Sequence, residues 1–118
     1  MRDYKKYEVW QRAHSLTLFV YKDVVEVLPK STQFDLASQI KRAAYSIPLN
    51  FVEGCGRSTD KEFCRFLDIA LGSVHELEYA CLLALDLDFI TKERKAKLDI
   101  HLNEVKAKLI NLIKSIRR

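Results

Sequence analysis

Residues 46–57 of this chain read Ser46-Ile47-Pro48-Leu49-Asn50-Phe51-Val52-Glu53-Gly54-Cys55-Gly56-Arg57. The stretch begins as an apolar helical run, but a proline interrupts it and a pair of glycines ends it. Proline removes a backbone donor and clashes with the carbonyl four residues before it, so a generic helix would not contain one here. We expect a helix in which a polar side chain or a water molecule bonds the Ala44 carbonyl, which loses its helical donor at Pro48.

On both sides of this stretch, apolar residues recur at the three-and-four spacing of a buried helix face. The alternation typical of strands is absent, and the connecting segments are only a few residues long. Short connections between long helices favour antiparallel neighbours. The sequence therefore predicts an all-α, up-down-up-down four-helix bundle, with residues 1–118 forming one domain. The predicted helices cover about residues 5–28, 33–53, 59–87 and 91–117.

Local signals mark the ends of these helices. Pro29 ends the first helix, because a proline pushes the preceding residue out of the helical region. Gly54 is the predicted C-terminal glycine of the second. Thr59-Asp60-Lys61-Glu62 has the pattern of a capping box, in which the Thr59 hydroxyl accepts a bond from the Glu62 amide. The fourth helix carries a bundle seam at steps of four and three, formed by Leu98, Leu102, Val105, Leu109, Leu112 and Ile116.

The composition limits the class of protein. Hydrophobic residues make up 48% of the chain and charged residues 31%, as in helical globular domains. No apolar run reaches the roughly 18–20 residues of a membrane span, and the first residues lack the apolar region of a secretory signal. We expect a cytoplasmic protein without a membrane segment. Cys64 and Cys81 are expected in the core, and Cys55, between two glycines, is expected to be exposed.

The net charge of +4 is unevenly distributed along the chain. Residues 1–90 carry 11 basic and 13 acidic side chains, whereas residues 91–118 carry 9 basic and 3 acidic ones. A basic helix attracts phosphate backbones, although lysines also simply solubilise an outer helix face. The candidate nucleic-acid contacts are Lys92, Arg94, Lys95, Lys97, Lys106, Lys108, Lys114, Arg117 and Arg118, with Lys5, Lys6 and Arg12 as a second set beside Tyr4 and Tyr7.

Helical bundles often hold metals, but the necessary pattern is missing. A di-metal carboxylate site requires Glu-x-x-His pairs on two helices. The residues three positions before the histidines are Gln11, Gly72 and Leu98. There is also no Cys-x-x-Cys pair and no Gly-x-x-x-x-Gly-Lys phosphate loop. We expect no enzymatic activity, no catalytic residues, no metal, no cofactor and no small-molecule substrate.

Polar residues form stripes on the second and third predicted helices. The second helix presents Gln39, Arg42, Ser46, Asn50 and Glu53, and the third presents Glu62, Ile69, Gly72, Ser73, Glu76 and Leu83. In a structural interpretation, Asn50 and Glu53 bond the disturbed backbone and the following loop, and Glu53 or Glu76 pairs with Arg42 or Arg57. In a functional interpretation, the same residues form a groove for RNA or a partner chain. Gly72 and Ser73 would let another backbone approach closely.

Two motifs together carry a resemblance to a known family. The first contains Ser46, Ile47, Pro48, Asn50, Glu53, Gly54, Gly56 and Arg57, preceded by Gln39, Arg42, Ala43 and Ala44. The second is Ala70-Leu71-Gly72-Ser73-Val74-His75-Glu76-Leu77-Glu78. The chain resembles the bacterial four-helix bundle proteins encoded in intervening sequences of 23S ribosomal RNA genes. Phe51-Val52 replaces the Ile-Ala pair that is more usual there, and the fourth helix matches only in its hydrophobic pattern.

The resemblance implies more than the residues do by themselves. It implies a left-handed antiparallel bundle and homo-oligomers, some of which are rings of five subunits. A protein related to this family, the accessory variability determinant of diversity-generating retroelements, associates with a reverse transcriptase and with nucleic acid through a basic surface. By analogy, we expect a non-enzymatic oligomer that binds structured RNA or a ribonucleoprotein. The alternative is a protein–protein adaptor or scaffold, for example for a reverse transcriptase, in which the groove around Asn50, Glu53, Arg57 and Glu76 holds the partner.

Overall fold

A computed structural model describes residues 2–118 as a bundle of four helices, and no strand occurs in that range. A short 3₁₀ turn at Tyr4–Lys6 precedes the bundle. The helices are α1, Glu8–Phe19; α2, Leu36–Cys55; α3, Asp60–Asp86; and α4, Lys92–Ile116. The predicted fold class is confirmed. The left-handed twist stays a prediction.

The first helix is shorter than predicted. After Phe19 the chain continues through a π-helical segment, Val20–Val24, and a 3₁₀ turn, Val25–Val27. Leu28 is extended, with φ −71° and ψ 146°, as expected for a residue that precedes proline. The sequence therefore predicted correctly that the helical segment ends before Pro29. The spacing of apolar residues did not indicate that the α-helix changes to a π-helix and then to a 3₁₀ turn after Phe19.

Caps set the other helix boundaries. α2 begins three residues later than predicted, where the Asp35 carboxylate accepts a hydrogen bond from the Leu36 amide. At α3, the Glu62 amide donates to the Thr59 hydroxyl over 3.1 Å, which confirms the main bond of the capping box. The Glu62 carboxylate lies 3.4 Å from the same hydroxyl instead of reaching the Thr59 amide. Thr91 caps α4 in the same way through the Arg94 amide.

Contacts between the helices show that neighbours run in opposite directions. The start of α1 meets the later part of α4 through Glu8 and Lys108, while Asp23 meets Arg94 near the start of α4. Ser46 lies beside Ser73 in the middle of α2 and α3. The beginning of α3 and the end of α4 meet at Asp68–Arg117. This arrangement brings the start of α1, the α2–α3 loop and the end of α4 to one end of the bundle.

The core runs along the centre of all four helices. Its largest fully buried side chains include Leu16, Ile40, Ile47, Phe51, Phe63, Leu67, Leu77, Leu98, Leu102 and Leu109. The predicted α4 seam is confirmed from Leu98 to Leu109, after which Ile113 is buried and Leu112 is only half-buried. Trp10 is half-buried and packs against Tyr4 and His14. No helix within residues 2–118 is long and apolar enough to cross a membrane.

Candidate nucleic-acid interface and motif face

The proline of the first motif is accommodated by a threonine on α1. Pro48 is buried inside α2, and the freed Ala44 carbonyl accepts a hydrogen bond from the Thr17 hydroxyl at 3.1 Å. The same hydroxyl lies 2.9 Å from the Ala13 carbonyl, so its single proton is shared between the two carbonyls. The predicted bond to the Ala44 carbonyl is confirmed, but the sequence did not indicate that Thr17 is its donor.

A short polar chain joins the two family motifs. The Asn50 side-chain amide donates to the Ser46 carbonyl over 2.8 Å and to the Ser46 hydroxyl over 3.0 Å. The Ser46 and Ser73 hydroxyls are 2.8 Å apart, and the Ser73 hydroxyl donates to the Ile69 carbonyl. Ser73 is buried, so these bonds satisfy polar groups at the α2–α3 contact. The expected contact of Asn50 with the backbone is confirmed at the Ser46 carbonyl.

The predicted ion pairs of the motifs are wrong. Within residues 2–118, neither Glu53 nor Glu76 pairs with Arg42 or with Arg57. All four side chains are exposed. Helical position explains the difference for Arg42, Glu53 and Glu76, which point away from the α2–α3 contact that Ser46 and Ser73 occupy. Arg57 lies in the α2–α3 loop, where its guanidinium packs on the Phe66 ring. We call the outward surface of α2 and α3 the motif face: Leu36, Gln39, Arg42, Leu49, Glu53, Arg65, Ile69, Gly72, Glu76, Tyr79, Ala80 and Leu83.

The three glycines have different roles. A Cβ on Gly54 would lie 2.9 Å from the Phe66 Cβ and 3.0 Å from Phe63, so Gly54 lets α2 and α3 approach closely. The prediction that Gly54 ends α2 is wrong, since α2 continues to Cys55 and Gly56 occupies the C-cap with φ −80°. Gly72 is exposed, and a Cβ there would meet nothing within 4 Å. No contact inside the described chain accounts for Gly72.

The motif face includes an apolar hollow near the start of α2. Its volume is about 280 Å³, and its lining residues are Leu36, Gln39, Glu76, Tyr79, Ala80 and Leu83. Tyr79 remains 64% exposed. Together with the exposed Leu49 and Ile69, these residues leave an apolar surface between the unpaired charges of the two helices.

The cysteines are buried and unreactive in character. Burial raises the pKa of the Cys55 thiol to about 11 and that of the Cys81 thiol to about 12. Cys64 is buried as well. The expectation that Cys55 is exposed is wrong, because α2 continues past Gly54 and turns this side chain into the core. Since thiolates are the reactive form, the raised pKa values make Cys55 and Cys81 poor nucleophiles.

Most of the predicted α4 contacts are occupied by carboxylates. The ion pairs join α4 to its neighbours or to itself: Arg94–Asp23, Lys95–Asp99, Lys106–Glu78, Lys108–Glu8 and Arg117–Asp68. Arg12 of the second predicted set also pairs, with Glu104 at 2.7 Å. A phosphate at any of these positions would have to compete with an acidic side chain that is already there.

Three of these ion pairs change the pKa of one of their members. The hydrogen bond from Lys106 holds the pKa of the Glu78 carboxyl below its usual value, and Lys108 does the same at Glu8. The bond to Asp68 raises the pKa of Arg117. These directions are those of charged groups that favour each other's ionised form.

The remaining candidates divide between the two ends of the bundle. Within residues 2–118, Lys92 and Lys97 near the start of α4 make no ion pair, and neither do Lys114 and Arg118 at its end. From the second predicted set, Lys5 and Lys6 are likewise without a carboxylate partner. The antiparallel arrangement places these two lysines at the same end of the bundle as Lys114 and Arg118.

That end of the bundle is the basic one. We define the basic end as residues 2–12, 53–68 and 108–118, which carry 11 basic and 6 acidic side chains, a net charge of +5. The opposite end, residues 22–41 and 86–99, carries 7 basic and 7 acidic side chains and has no net charge. The positive charge of the chain is therefore concentrated at one end and does not extend along α4.

Three cations of the basic end that make no ion pair among residues 2–118 were not among the predicted nucleic-acid contacts. Arg57 lies with its guanidinium 4.7 Å from the Phe66 ring centre and without an ion pair among residues 2–118. Lys61 and Arg65 follow on the first turns of α3 and are exposed. The signal available in the sequence was the predicted up-down topology, which places the start of α3 beside the end of α4. Counting charge along the chain does not reveal this.

A hollow of about 550 Å³ opens at the basic end, lined by Arg2, Gly56, Arg57 and Ser58. The Arg2 guanidinium donates to the Arg57 carbonyl over 2.9 Å and to the Asp60 carboxylate over 2.6 Å. It also lies 4.3 Å from the centre of the Phe63 ring. Arg2 thus fastens the first residues to the α2–α3 loop.

The described chain offers no metal site: among residues 2–118, no three His, Cys, Asp or Glu side chains come together as ligands would have to.

Comparison with known proteins identifies the family. The chain is 25% identical to a crystallised protein of unknown function from the S23 ribosomal protein family of Bacteroides thetaiotaomicron, with a TM-score of 0.83. The similarity covers 90% of this chain and 98% of the other. No curated protein matches the chain. Residues 5–111, nearly the whole bundle, match the family described as 23S rRNA-intervening sequence protein. The chain therefore belongs to the 23S rRNA-intervening sequence protein family.

Proposed function

We propose that this protein is a non-enzymatic bundle that binds structured RNA through its basic end. The observation that carries the proposal is a group of seven cations at that end with no carboxylate within ion-pair distance among residues 2–118: Lys5, Lys6, Arg57, Lys61, Arg65, Lys114 and Arg118. Unpaired cations can release the counterions of a phosphate backbone, which is the main source of affinity in such complexes.

The distribution of charge favours RNA binding at the basic end of the bundle over RNA binding along the length of α4. Five of the nine α4 candidates already contact carboxylates. The unpaired cations of the basic end come instead from three separate segments of the chain, and one of them, Arg57, lines the hollow there. Tyr4 lies next to Lys5 in sequence, and its ring is half-buried. An aromatic ring beside lysines suits nucleic acid, because bases stack on such rings while the lysines meet the phosphates.

The test compares two variants with the same change in net charge. In the first, Lys5, Lys6, Lys61, Lys114 and Arg118 of the basic end are replaced by alanine. In the control, five cations of the opposite end that make no ion pair among residues 2–118 are replaced by alanine: Lys22, Lys30, Lys41, Lys92 and Lys97. Binding to a labelled RNA hairpin is measured by anisotropy between about 50 and 200 mM salt, the range in which phosphate contacts lose most affinity.

We expect the basic-end variant to lose at least tenfold in affinity and the control to change by less than about threefold. The slope of log affinity against log salt should become shallower by about 0.7–0.9 for each phosphate contact removed. Equal losses in the two variants would mean that only net charge matters, and no binding by the unaltered protein at low salt would refute the proposal.

A second candidate function is that of a protein–protein adaptor, and the motif face favours it. Arg42, Glu53 and Glu76 are exposed and unpaired within residues 2–118, next to an apolar hollow. An interface of this mixed kind should depend much less on salt than phosphate binding does. A partner captured equally well at about 50 and 200 mM salt, and lost on reversal of Glu76, would support the adaptor.

A further inference from the structure

We propose that an unpaired RNA base stacks on the aromatic side chains of Tyr4, Trp10 and His14, so that the protein selects RNA with exposed bases over regular duplex. This inference rests on the RNA-binding proposal above and names the part of the RNA that is bound. The Tyr4 and Trp10 rings meet edge to face, with centres 4.9 Å apart. The Trp10 and His14 rings are stacked, with centres 5.2 Å apart and planes inclined by 4°. We call these three side chains the aromatic stack.

The aromatic stack lies at the surface of the bundle. His14 is exposed, and Tyr4 and Trp10 are half-buried. A stack whose last ring is exposed can be continued by another flat ring, because stacking requires only a second planar π-system. Bases that are unpaired in RNA loops and bulges are held in this way on Tyr, Trp and His side chains. The exposed end of the stack at His14 is therefore the position at which a base would be added.

The flank of α1 that carries the stack has little negative charge nearby. The two stacked rings share a helix face with Thr17, whose hydroxyl bonds the Ala44 carbonyl, so they lie on the side of α1 that adjoins α2. The neighbouring stretches, residues 9–22 and 36–52, contain none of the 16 acidic side chains of the chain. Glu8 is on the other flank of α1 and pairs with α4. Neither stretch therefore repels a phosphate backbone that follows it.

Two lysines without a carboxylate partner are found at the beginning of the stack. Lys5 and Lys6 are exposed and make no ion pair among residues 2–118. The Lys5 ammonium lies 6.0 Å from the centre of the Tyr4 ring. These lysines outnumber the adjacent Asp3, whose carboxylate accepts from the Lys5 amide. A strand whose phosphates meet the lysines brings its bases to the rings, which is how single-stranded nucleic acids are commonly bound.

The Trp10 indole provides a second, independent observation. Its Nε1–H group is buried and has no hydrogen-bond partner within residues 2–118. A buried indole N–H usually finds an acceptor, and the edges of bases carry such acceptors. Movement of the exposed His14 ring, which is stacked on the indole, would bring an acceptor of the RNA within reach. The aromatic stack thus offers a base both a flat ring and a hydrogen-bond donor.

The test compares two RNA hairpins of equal charge. They share one stem, and the loop of the first contains adenosines, whereas the loop of the second contains the same number of abasic nucleotides. Binding is measured by the anisotropy of a label on the stem and by the fluorescence of Trp10, the single tryptophan of the chain. We expect the adenosine loop to bind at least about fivefold more tightly, as the stacking of one base requires. Only this hairpin should quench Trp10.

Removal of the rings should abolish this preference. Since His14→Ala leaves the Trp10 ring open to the base, the double variant His14→Ala/Trp10→Leu is measured as well. We expect the double variant to bind both hairpins equally, within about twofold of the affinity of the unaltered protein for the abasic loop. His75→Ala replaces an exposed histidine in the middle of α3 and is the matched control, which should keep the preference. Circular dichroism checks that each variant retains its helices.

Equal affinity of the unaltered protein for the two hairpins would overturn the inference and leave RNA binding at the basic end intact. A folded double variant that still prefers the adenosine loop would overturn it too. If the unaltered protein binds neither hairpin at about 50 mM salt, where phosphate contacts are strong, the RNA-binding proposal fails as well. The two failures are thus distinguishable in one set of measurements.

Discussion

The α2–α3 pair and the α4 helix are joined to the bundle in different ways. α2 and α3 meet through small residues, with Gly54 against Phe66 and the Ser46 hydroxyl against that of Ser73. α4 meets its neighbours through the leucine seam inside and through ion pairs at the surface, such as Lys106–Glu78 and Lys108–Glu8.

This difference separates charges that hold the bundle together from charges that remain available to a partner. The charges of α4 are mostly used within the chain, although α4 is the most basic segment of the sequence. The charges of the motif face make no ion pair within residues 2–118, because small residues form the helix contact there and the long side chains point outward. Both candidate functions rest on unpaired charge, and both leave the paired residues of α4 a structural role.

The largest effect should come from adding one methyl group to each of two glycines. Gly54→Ala places a Cβ 2.9 Å from the Phe66 Cβ, so the two helices must separate, and we expect a loss of about 1–3 kcal/mol in the free energy of unfolding. Gly72→Ala enters open space and should stabilise the monomer by about 0.5–1 kcal/mol. Urea denaturation at a protein concentration below 1 µM measures both. Equal effects at the two positions would contradict close packing at Gly54.

The next effect concerns the bond between α1 and the proline of α2. Thr17→Val keeps the shape of the side chain but leaves the buried Ala44 carbonyl without its donor, which should cost about 1–2 kcal/mol. In a Pro48→Ala background the residue 48 amide can bond the Ala44 carbonyl directly, so the same Thr17→Val change should then cost clearly less. Thermal unfolding of the four proteins of this cycle measures the difference. Equal costs in the two backgrounds would show that the Thr17 bond contributes nothing.

The smallest effect should be at the surface of α4. Lys106→Met removes the partner of Glu78, and because water still reaches both side chains, which are 24% and 41% exposed, we expect a loss of only about 0.2–1 kcal/mol at neutral pH. Since Lys106 lowers the pKa of Glu78 in the fold, this contribution is present above the usual value of 4.5 and disappears as the pH falls through the lowered one. Lys97→Met, at an unpaired position, should change little at any pH. If Lys106→Met lowers the free energy of unfolding by the same amount at pH 3, the loss comes from packing of the lysine side chain and not from its ion pair with Glu78.

Much of this molecule follows from local sequence. The three-and-four spacing identified all four helices, Thr59 and Pro29 marked helix ends, and the two motifs identified the family before any coordinates. The first motif also indicated that the Ala44 carbonyl, which loses its helical donor at Pro48, needs another donor. The errors occurred where a residue's environment is set by another helix. Gly54 and Cys55 were both assigned from their own segment, yet the environment of each is set by packing against other parts of the chain.

The sequence by itself therefore determined the helices, their number and the apolar faces, because these depend on residues three or four positions apart. Only the tertiary structure decided which charges are paired and which are not. Lys108 and Glu8 are 100 residues apart in the chain, and no spacing rule connects them, whereas the fold places them 3.2 Å apart. The same packing gathers Lys5, Lys61 and Lys114 at one end of the bundle, because antiparallel helices bring distant segments together.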